Sequence, residues 1–222
     1  VELRDVMIWR VVDRRLGGGQ TDKGAIFQLL CMPSKKKNEK KREKEESNNS
    51  NIACLLVEIG WIDPNHEANG LTILSFASGN GRIDIVTTLL ERGADANKAL
   101  NDAYTPLCAA SLHGHVQVVR ALLERGADIN KANHLGATPL FVASQKGHVQ
   151  VVRALLDRGA DINKAMNDGA TPLFIASYNS HVEVVRVLLD RGADINQAGN
   201  AGITPLMIAI VCKHTEIVRL LE

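Results

Sequence analysis

The sequence of 222 residues is poor in aromatic residues, lacks long apolar runs and has almost no net charge. Aromatic residues make up 4% and hydrophobic residues 45%, a balance that favours a helical core of aliphatic side chains. No apolar run reaches the roughly 18 residues that a membrane span needs, and the charged start VELRDVMIWRVVDRR lacks the apolar stretch of a secretion signal. A net charge of +1 argues against binding nucleic acid or an anionic membrane by bulk attraction.

Cysteine is also scarce, and its spacing matches no known type of site. Cys31, Cys54, Cys108 and Cys212 form no Cys-x-x-Cys pair. Such isolated cysteines are typical of reduced thiols inside the cell, because disulfides persist mainly in oxidising compartments. We therefore expect a cytoplasmic protein, and a nuclear protein is the alternative.

The dominant feature of the sequence is an internal repeat with a period of 33 residues. Two independent markers keep this period over four units, which makes the signal strong. Thr-Pro-Leu begins at Thr105, Thr138, Thr171 and Thr204, and Gly-Ala-Asp begins at Gly93, Gly126, Gly159 and Gly192.

Each unit carries the signals of two short helices. Thr138 is a good N-cap, Pro139 fits the first helical position, and Gly147 can end the helix in a left-handed conformation. A second helix is predicted from about Val149 to Arg158, with an apolar arc too broad to be buried by one neighbour. Stacked units would bury these arcs jointly, which predicts a solenoid.

The motifs T-P-L, A-S, G-H-V-x-V-V, L-L and R-G-A-D-I-N resemble the ankyrin repeat over about Ile52 to Glu222. The resemblance implies an all-α solenoid of stacked helix-turn-helix units with projecting hairpin-like loops. It also implies that a protein partner binds to the loop tips and inner helices. One position departs from the family pattern. The family usually carries a histidine after Thr-Pro-Leu, and here other residues stand at that position, where we expect apolar packing. The replacing residues are Cys108, Phe141, Phe174 and Met207.

Three segments follow from this reading. Residues 1–34 match no recognisable domain, and residues 35–51 (KKKNEKKREKEESNNSN) form a charged linker that we expect to be disordered. A nuclear-localisation or anion-binding patch is the alternative for this linker. The repeat domain covers 52–222, with a partial repeat at 52–66 and repeats starting near 67, 100, 133, 166 and 199. The last repeat is truncated, so we expect either that the natural chain continues or that this end frays.

No arrangement in the sequence predicts catalysis, a cofactor or a metal site. His115, His148, His181 and His214 recur every 33 residues, and stacked helices about 8–10 Å apart hold such residues too far apart to share one ion. We expect these histidines to bond loop backbone between units and the repeated aspartates to anchor turns. Three pairs, Arg120/Glu124, Arg153/Asp157 and Arg186/Asp190, are predicted to neutralise themselves along single helices.

A candidate partner face emerges when the units starting at Arg125 and Arg158 are compared. Nine of 33 positions differ, and six of these lie at the loop tip and at the end of the first helix. Selection by a partner and neutral drift at exposed positions both explain this pattern. The candidate residues are Asn101, Asp102, Tyr104, Leu112, His113, His134, Leu135, Gln145, Lys146, Asn167, Asp168, Tyr178, Asn179, Asn200 and Ile203.

The sequence thus predicts a monomeric, non-catalytic module or scaffold that binds a protein partner, without nucleic acid, membrane or cofactor. The first alternative is a regulatory array attached to an enzyme or channel domain beyond residue 222. The second is a purely structural spacer between two ends.

Overall fold

The structure is a computed structural model that describes residues 51–58, 60–68, 71–99 and 104–222. Several expectations fall outside these residues and are left untested. They are the unassigned segment 1–34, residues 35–50 of the charged linker, the candidate partner residues Asn101 and Asp102, and the start of the repeat near residue 100.

The described chain begins with helical residues 51–58 and a short antiparallel pair of strands, β1 (Glu67–Ala68) and β2 (Leu71–Thr72). Ten further helices follow in the described residues, arranged as five pairs. The pairs are α1 (Ile73–Gly79) with α2 (Ile83–Glu91), α3 (Pro106–His113) with α4 (Val116–Glu124), α5 (Pro139–Lys146) with α6 (Val149–Asp157), α7 (Pro172–Tyr178) with α8 (Val182–Asp190), and α9 (Pro205–Val211) with α10 (Thr215–Leu221). We call the odd-numbered members first helices and the even-numbered members second helices.

The first helix α5 begins and ends as the sequence predicts. The Thr138 hydroxyl oxygen accepts a hydrogen bond from the Phe141 backbone N–H at 3.1 Å, and Pro139 occupies the first helical position. Gly147 ends α5 with a φ of 75°, the left-handed conformation that glycine adopts without steric cost. The same threonine cap starts each of the other first helices, so the local signals in the sequence are sufficient to set these helix starts.

The helices pack into two parallel rows. Each first helix contacts the first helix of the next unit, each second helix contacts the next second helix, and the two helices of one unit contact each other. Leu140 of the first row and Leu155 of the second row are fully buried. Burying one such side chain stabilises a fold by about 1.5–3 kcal/mol, so the shared core between units holds the stack together. The all-α solenoid is confirmed.

Turns between units are fastened by aspartate and asparagine side chains. The Asp161 carboxylate accepts from the Asn163 backbone N–H at 3.1 Å, and the Asn130 side-chain oxygen accepts from the Asp161 N–H at 2.9 Å. Each turn is therefore closed locally and tied to the unit before it, which confirms the aspartates as turn anchors. Asp63 and Asn65 form the same local bond at 2.8 Å, as expected of a partial first unit.

The predicted ion pairs within single helices are wrong. Glu124 pairs with Arg158 at 3.4 Å and Asp157 with Arg191 at 2.7 Å, each time with the arginine that follows the next second helix. Arg186 pairs with Glu216 at 2.7 Å in the same inter-unit manner, and also with Glu183 of its own helix at 3.5 Å. Adjacent second helices contact each other, so side chains that are 34 residues apart in the sequence come close enough to pair. Most of these surface ion pairs thus connect units, and the Arg186–Glu183 pair is the exception that lies within one helix.

Candidate partner-binding groove

The groove begins with the unusual residues at the position where the resemblance implies histidine. Cys108 and Phe141 are 0% and 3% exposed, and Phe174 is partly buried, so apolar packing at this position is confirmed for three units. The Cys108 thiol lies 3.8 Å from the Lys131 carbonyl oxygen of the next unit. Met207 is 52% exposed, so for this residue the expectation of packing is wrong.

Phe141 and Phe174 belong to a second apolar cluster, separate from the core between the helix rows. Its buried members are Ala137, Phe141, Val142 and Ala170, contributed by the loops and by α5. Partly buried side chains pack against them and extend the cluster toward the surface. These side chains are Tyr104, Leu112, Met166, Phe174 and Ile175.

A cavity of about 480 Å³, which we call the aromatic groove, opens onto this cluster. It is bounded by loop residues on one side and by the first helices on the other, and nearly all its lining side chains are apolar. The lining residues are Tyr104, Asn133, Leu135, Ala137, Phe141, Val142, Gln145, Met166, Asp168, Ala170, Phe174, Ile175, Tyr178 and Ile208.

A second groove of about 420 Å³ lies beside the first helices of the two preceding units. Its lining includes Phe76, Tyr104, Leu112 and His113. Tyr104 borders both grooves, so the two grooves adjoin each other at this ring. Burial, with a smaller contribution from Cys108, raises the pKa of the Tyr104 hydroxyl, which therefore remains a neutral hydrogen-bond donor and acceptor at physiological pH.

Several candidate residues from the sequence come together at these grooves. Tyr104, Leu135, Gln145, Asp168 and Tyr178 all line the aromatic groove. Leu135 is 63% exposed and Tyr178 is 49% exposed, which is high for large apolar side chains. Both are placed where a bound partner could cover them.

Leu112 and His113 line the second groove together with Tyr104. The His113 ring stacks against His115 with their centroids 6.1 Å apart. The second groove therefore also collects candidate residues, although it holds fewer of them than the aromatic groove.

The remaining described candidates lie around the grooves without lining them. The Asn167 side chain donates to the His134 carbonyl oxygen at 2.9 Å, and the Asn200 side chain donates to the Asn167 carbonyl oxygen at 3.1 Å. These two asparagines connect successive loop tips. Asn179 donates from its side chain to the Ile175 carbonyl oxygen at the end of α7, at 3.0 Å.

Two further candidates are simply exposed. Lys146 is the last residue of α5, is exposed and lines neither groove. Ile203 is 37% exposed, and its carbonyl oxygen accepts from the Gly199 N–H at 3.1 Å to close the last loop.

Comparison of repeat units missed the floor of the aromatic groove. Phe141 and Phe174 are identical in the two units compared, so a search for variable positions passes over them. Met166 and Ile175 differ from their counterparts Asn133 and Val142 but are not among the candidate residues. A usable signal existed nonetheless, because two phenylalanines stand where the family pattern carries a polar histidine.

The described residues hold no arrangement that indicates chemistry. Among them, no group of three or more His, Cys, Asp or Glu side chains could hold a metal ion. Burial raises the pKa of the Cys108 and Cys54 thiols, which makes both weaker nucleophiles at neutral pH. In the same part of the chain, no helix is both long enough and apolar enough to cross a membrane.

Comparison with known proteins agrees with the geometry. A search among curated proteins finds no relative of significant similarity. The family model described as ankyrin repeats in three copies matches residues 45–133, 93–166, 131–198 and 164–222. These overlapping matches span most of the chain and include all ten helices. The chain belongs to the ankyrin repeat family, whose members generally serve as protein–protein interaction modules.

Proposed function

We propose that this chain is a non-catalytic interaction module that binds a protein partner in the aromatic groove, between the loop tips and the first helices. One observation carries the proposal. The groove exposes large apolar side chains, Leu135 and Tyr178 above all, beside the buried ring of Phe141 and the partly buried ring of Phe174. Contiguous exposed apolar surface of this kind marks interaction sites in soluble proteins.

The shape and composition of the groove fit a segment of another protein. Buried aromatic anchors contribute most of the energy at protein interfaces, and tyrosine is among the residue types enriched there. The floor residues Phe141 and Phe174 sit on a rigid helical scaffold, so little side-chain entropy is lost when a partner binds. One chain supplies the whole groove, which supports action as a monomer.

Compartment and partner class follow from the same features. Cys54, Cys108 and Cys212 are free thiols, in keeping with a protein of the cytoplasm or the nucleus. The lining of the aromatic groove contains no lysine or arginine, so it offers no track for the phosphates of a nucleic acid.

The proposal is tested with alanine variants of the full chain. Candidate partner segments are selected from a displayed peptide library and measured by calorimetry against the wild type, Tyr178→Ala and Leu135→Ala. Tyr178→Ala is expected to weaken binding by more than about 1 kcal/mol while the unfolding midpoint stays unchanged. Ile195→Ala is the matched control, because Ile195 is 40% exposed and lines neither groove. Segments that bind all variants with equal affinity would place the binding surface elsewhere.

A further inference from the structure

The aromatic groove carries a single formal charge in its lining. Asp168 is the one acidic residue of a lining that contains no lysine, arginine or histidine, and it is exposed to solvent at the loop tip. One carboxylate oxygen accepts from the Ala170 backbone N–H at 3.0 Å. Asp168 forms no ion pair with any described residue, in contrast to Glu124 and Asp157, which end second helices. Lys146, the one lysine among the candidate partner residues, is not part of the lining.

The local fold does not require this charge. In the preceding unit the uncharged Asn133 closes the corresponding loop, accepting from the Leu135 and Ala137 N–H groups at 3.0 and 2.9 Å. The position of Asp168 is held by Leu135 in that unit and by Ala201 in the following one, so the loop folds without a charge there, and an asparagine at position 168 keeps an oxygen for the bond to Ala170. The negative charge at Asp168 is left without a structural role inside the described chain.

We propose that the occupant of the aromatic groove is a peptide segment with an apolar anchor flanked by a lysine or arginine, and that this cation pairs with Asp168. The inference rests on the proposed function, since it names the chemistry of the partner that fills the groove. Opposite charges across an interface fix the register of a partner and speed its association. The π faces of Tyr104 and Tyr178 also attract a cation, which adds to the same preference.

The same arrangement disfavours acidic partners. A phosphorylated or carboxylate-rich segment would bring negative charge next to Asp168, and like charges at an interface repel. The groove is therefore selective for cationic segments.

A displayed library of random dodecapeptides is the probe for this preference. The library is selected separately on full-length wild type, Asp168→Asn, Asp168→Lys, Tyr178→Ala and the control Asp190→Lys, whose exposed aspartate lies at the end of α8, away from both grooves. Peptides from the wild type and from Asp190→Lys are expected to be enriched in lysine and arginine beside an apolar residue. Peptides from Asp168→Lys are expected to be enriched in aspartate and glutamate instead.

The strength of the pairing is measured with a synthetic peptide from the selection and a second peptide in which its cation is replaced by glutamine. Asp168→Asn is expected to weaken the cationic peptide two- to fivefold, roughly the range for an exposed ion pair, and to leave the glutamine peptide unchanged.

The outcomes separate the two proposals. Two results would overturn the cation inference and leave the groove as the binding site. The first is a set of peptides that need Tyr178 but are not enriched in basic residues. The second is an equal effect of Asp168→Asn on the affinities of both synthetic peptides. A selection that yields no Tyr178-dependent peptide removes the groove as the binding site, and the cation inference with it.

Discussion

His214 bonds the carbonyl oxygen of Ser177 through its Nδ1 atom, at 2.9 Å. The three preceding histidines of the repeat bond through Nε2 instead, each to a carbonyl oxygen 36 residues earlier, whereas Ser177 lies 37 residues before His214. These bonds join His115 to Gly79 at 3.0 Å, His148 to Leu112 at 3.0 Å and His181 to Gln145 at 2.9 Å. Each histidine thus fastens its unit to the end of the preceding first helix, and only the last of them uses the other ring nitrogen.

The residue that ends the first helix of the preceding unit explains the difference. Gly147 lies beside the ring of His181, and a Cβ atom added to Gly147 would lie 2.7 Å from His181 Nδ1. The corresponding residue before His214 is Ser180, which carries a Cβ and still adopts a left-handed φ of 62°. The His214 ring cannot occupy the same position beside this Cβ, so it turns and presents Nδ1 to the carbonyl.

Replacing Ser180 with glycine is expected to stabilise the protein and to switch the bonding nitrogen. A left-handed φ costs a residue with a Cβ roughly 1 kcal/mol or more, so Ser180→Gly should raise the free energy of unfolding by about that amount. His214 should then carry its proton on Nε2, which 15N NMR of the ring nitrogens detects. The control is Lys213→Gly, since Lys213 has a φ of 60° and its replacement relieves the same strain without changing the neighbour of the His214 ring. An Nδ1-protonated His214 in Ser180→Gly would contradict this explanation.

The partly buried His115 ring, bonded to the Gly79 carbonyl oxygen, predicts that the free energy of unfolding depends on pH. Burial lowers the pKa of the His115 ring, with smaller contributions from His113 and His148, while the Gly79 carbonyl oxygen opposes the shift. The folded-state pKa lies below the unfolded value of about 6.5, so the unfolded chain binds more protons as the pH falls through that region. The stability contribution of His115 is therefore fully present above about pH 6.5 and is lost on acidification.

Urea unfolding at neutral and mildly acidic pH measures this loss. His115→Gln removes the titrating group and is expected to lose less stability on acidification than the wild type. His134→Gln, which changes an exposed loop histidine, serves as the control and should keep the wild-type pH dependence. Equal pH dependence in the wild type and His115→Gln would show that this ring does not contribute.

The sequence predicts what is decided within one unit. Thr138, Pro139 and Gly147 act on their own helix, so the helix starts and the solenoid were predictable from the 33-residue period. The sequence marks Phe141 and Phe174 as unusual, but it does not predict that they line one groove, because they meet only after two units have stacked and the loops have folded beside them. The failure of the single-helix ion pairs has the same cause, since the sequence gives no distance between neighbouring second helices.

The ion pairs between units are expected to show a small coupling free energy. The single-helix pair Arg120/Glu124, which the sequence suggested, is expected to show none. Both side chains of the Arg158–Glu124 pair are about half exposed, so its coupling free energy in a double-mutant cycle should be about 0.2–1 kcal/mol and should fall with added salt. The cycle for Arg120 and Glu124 is the matched control and should give no measurable coupling. A larger coupling for Arg120 with Glu124 than for Arg158 with Glu124 would restore the original interpretation.

Two serines at the same repeat position should respond oppositely to alanine. Ser144 and Ser177 are both fully buried, but the Ser144 hydroxyl has no hydrogen-bond partner among the described residues, whereas the Ser177 hydroxyl donates to the Leu173 carbonyl oxygen at 2.8 Å. An unsatisfied buried hydroxyl costs about 1–3 kcal/mol, so Ser144→Ala should leave the free energy of unfolding unchanged or raise it. Ser177→Ala should lower it by about 0.5–1.5 kcal/mol, because a made bond is lost. Urea titration of the two variants compares them directly, and equal destabilisation by both would mean that Ser144 also has a partner in solution.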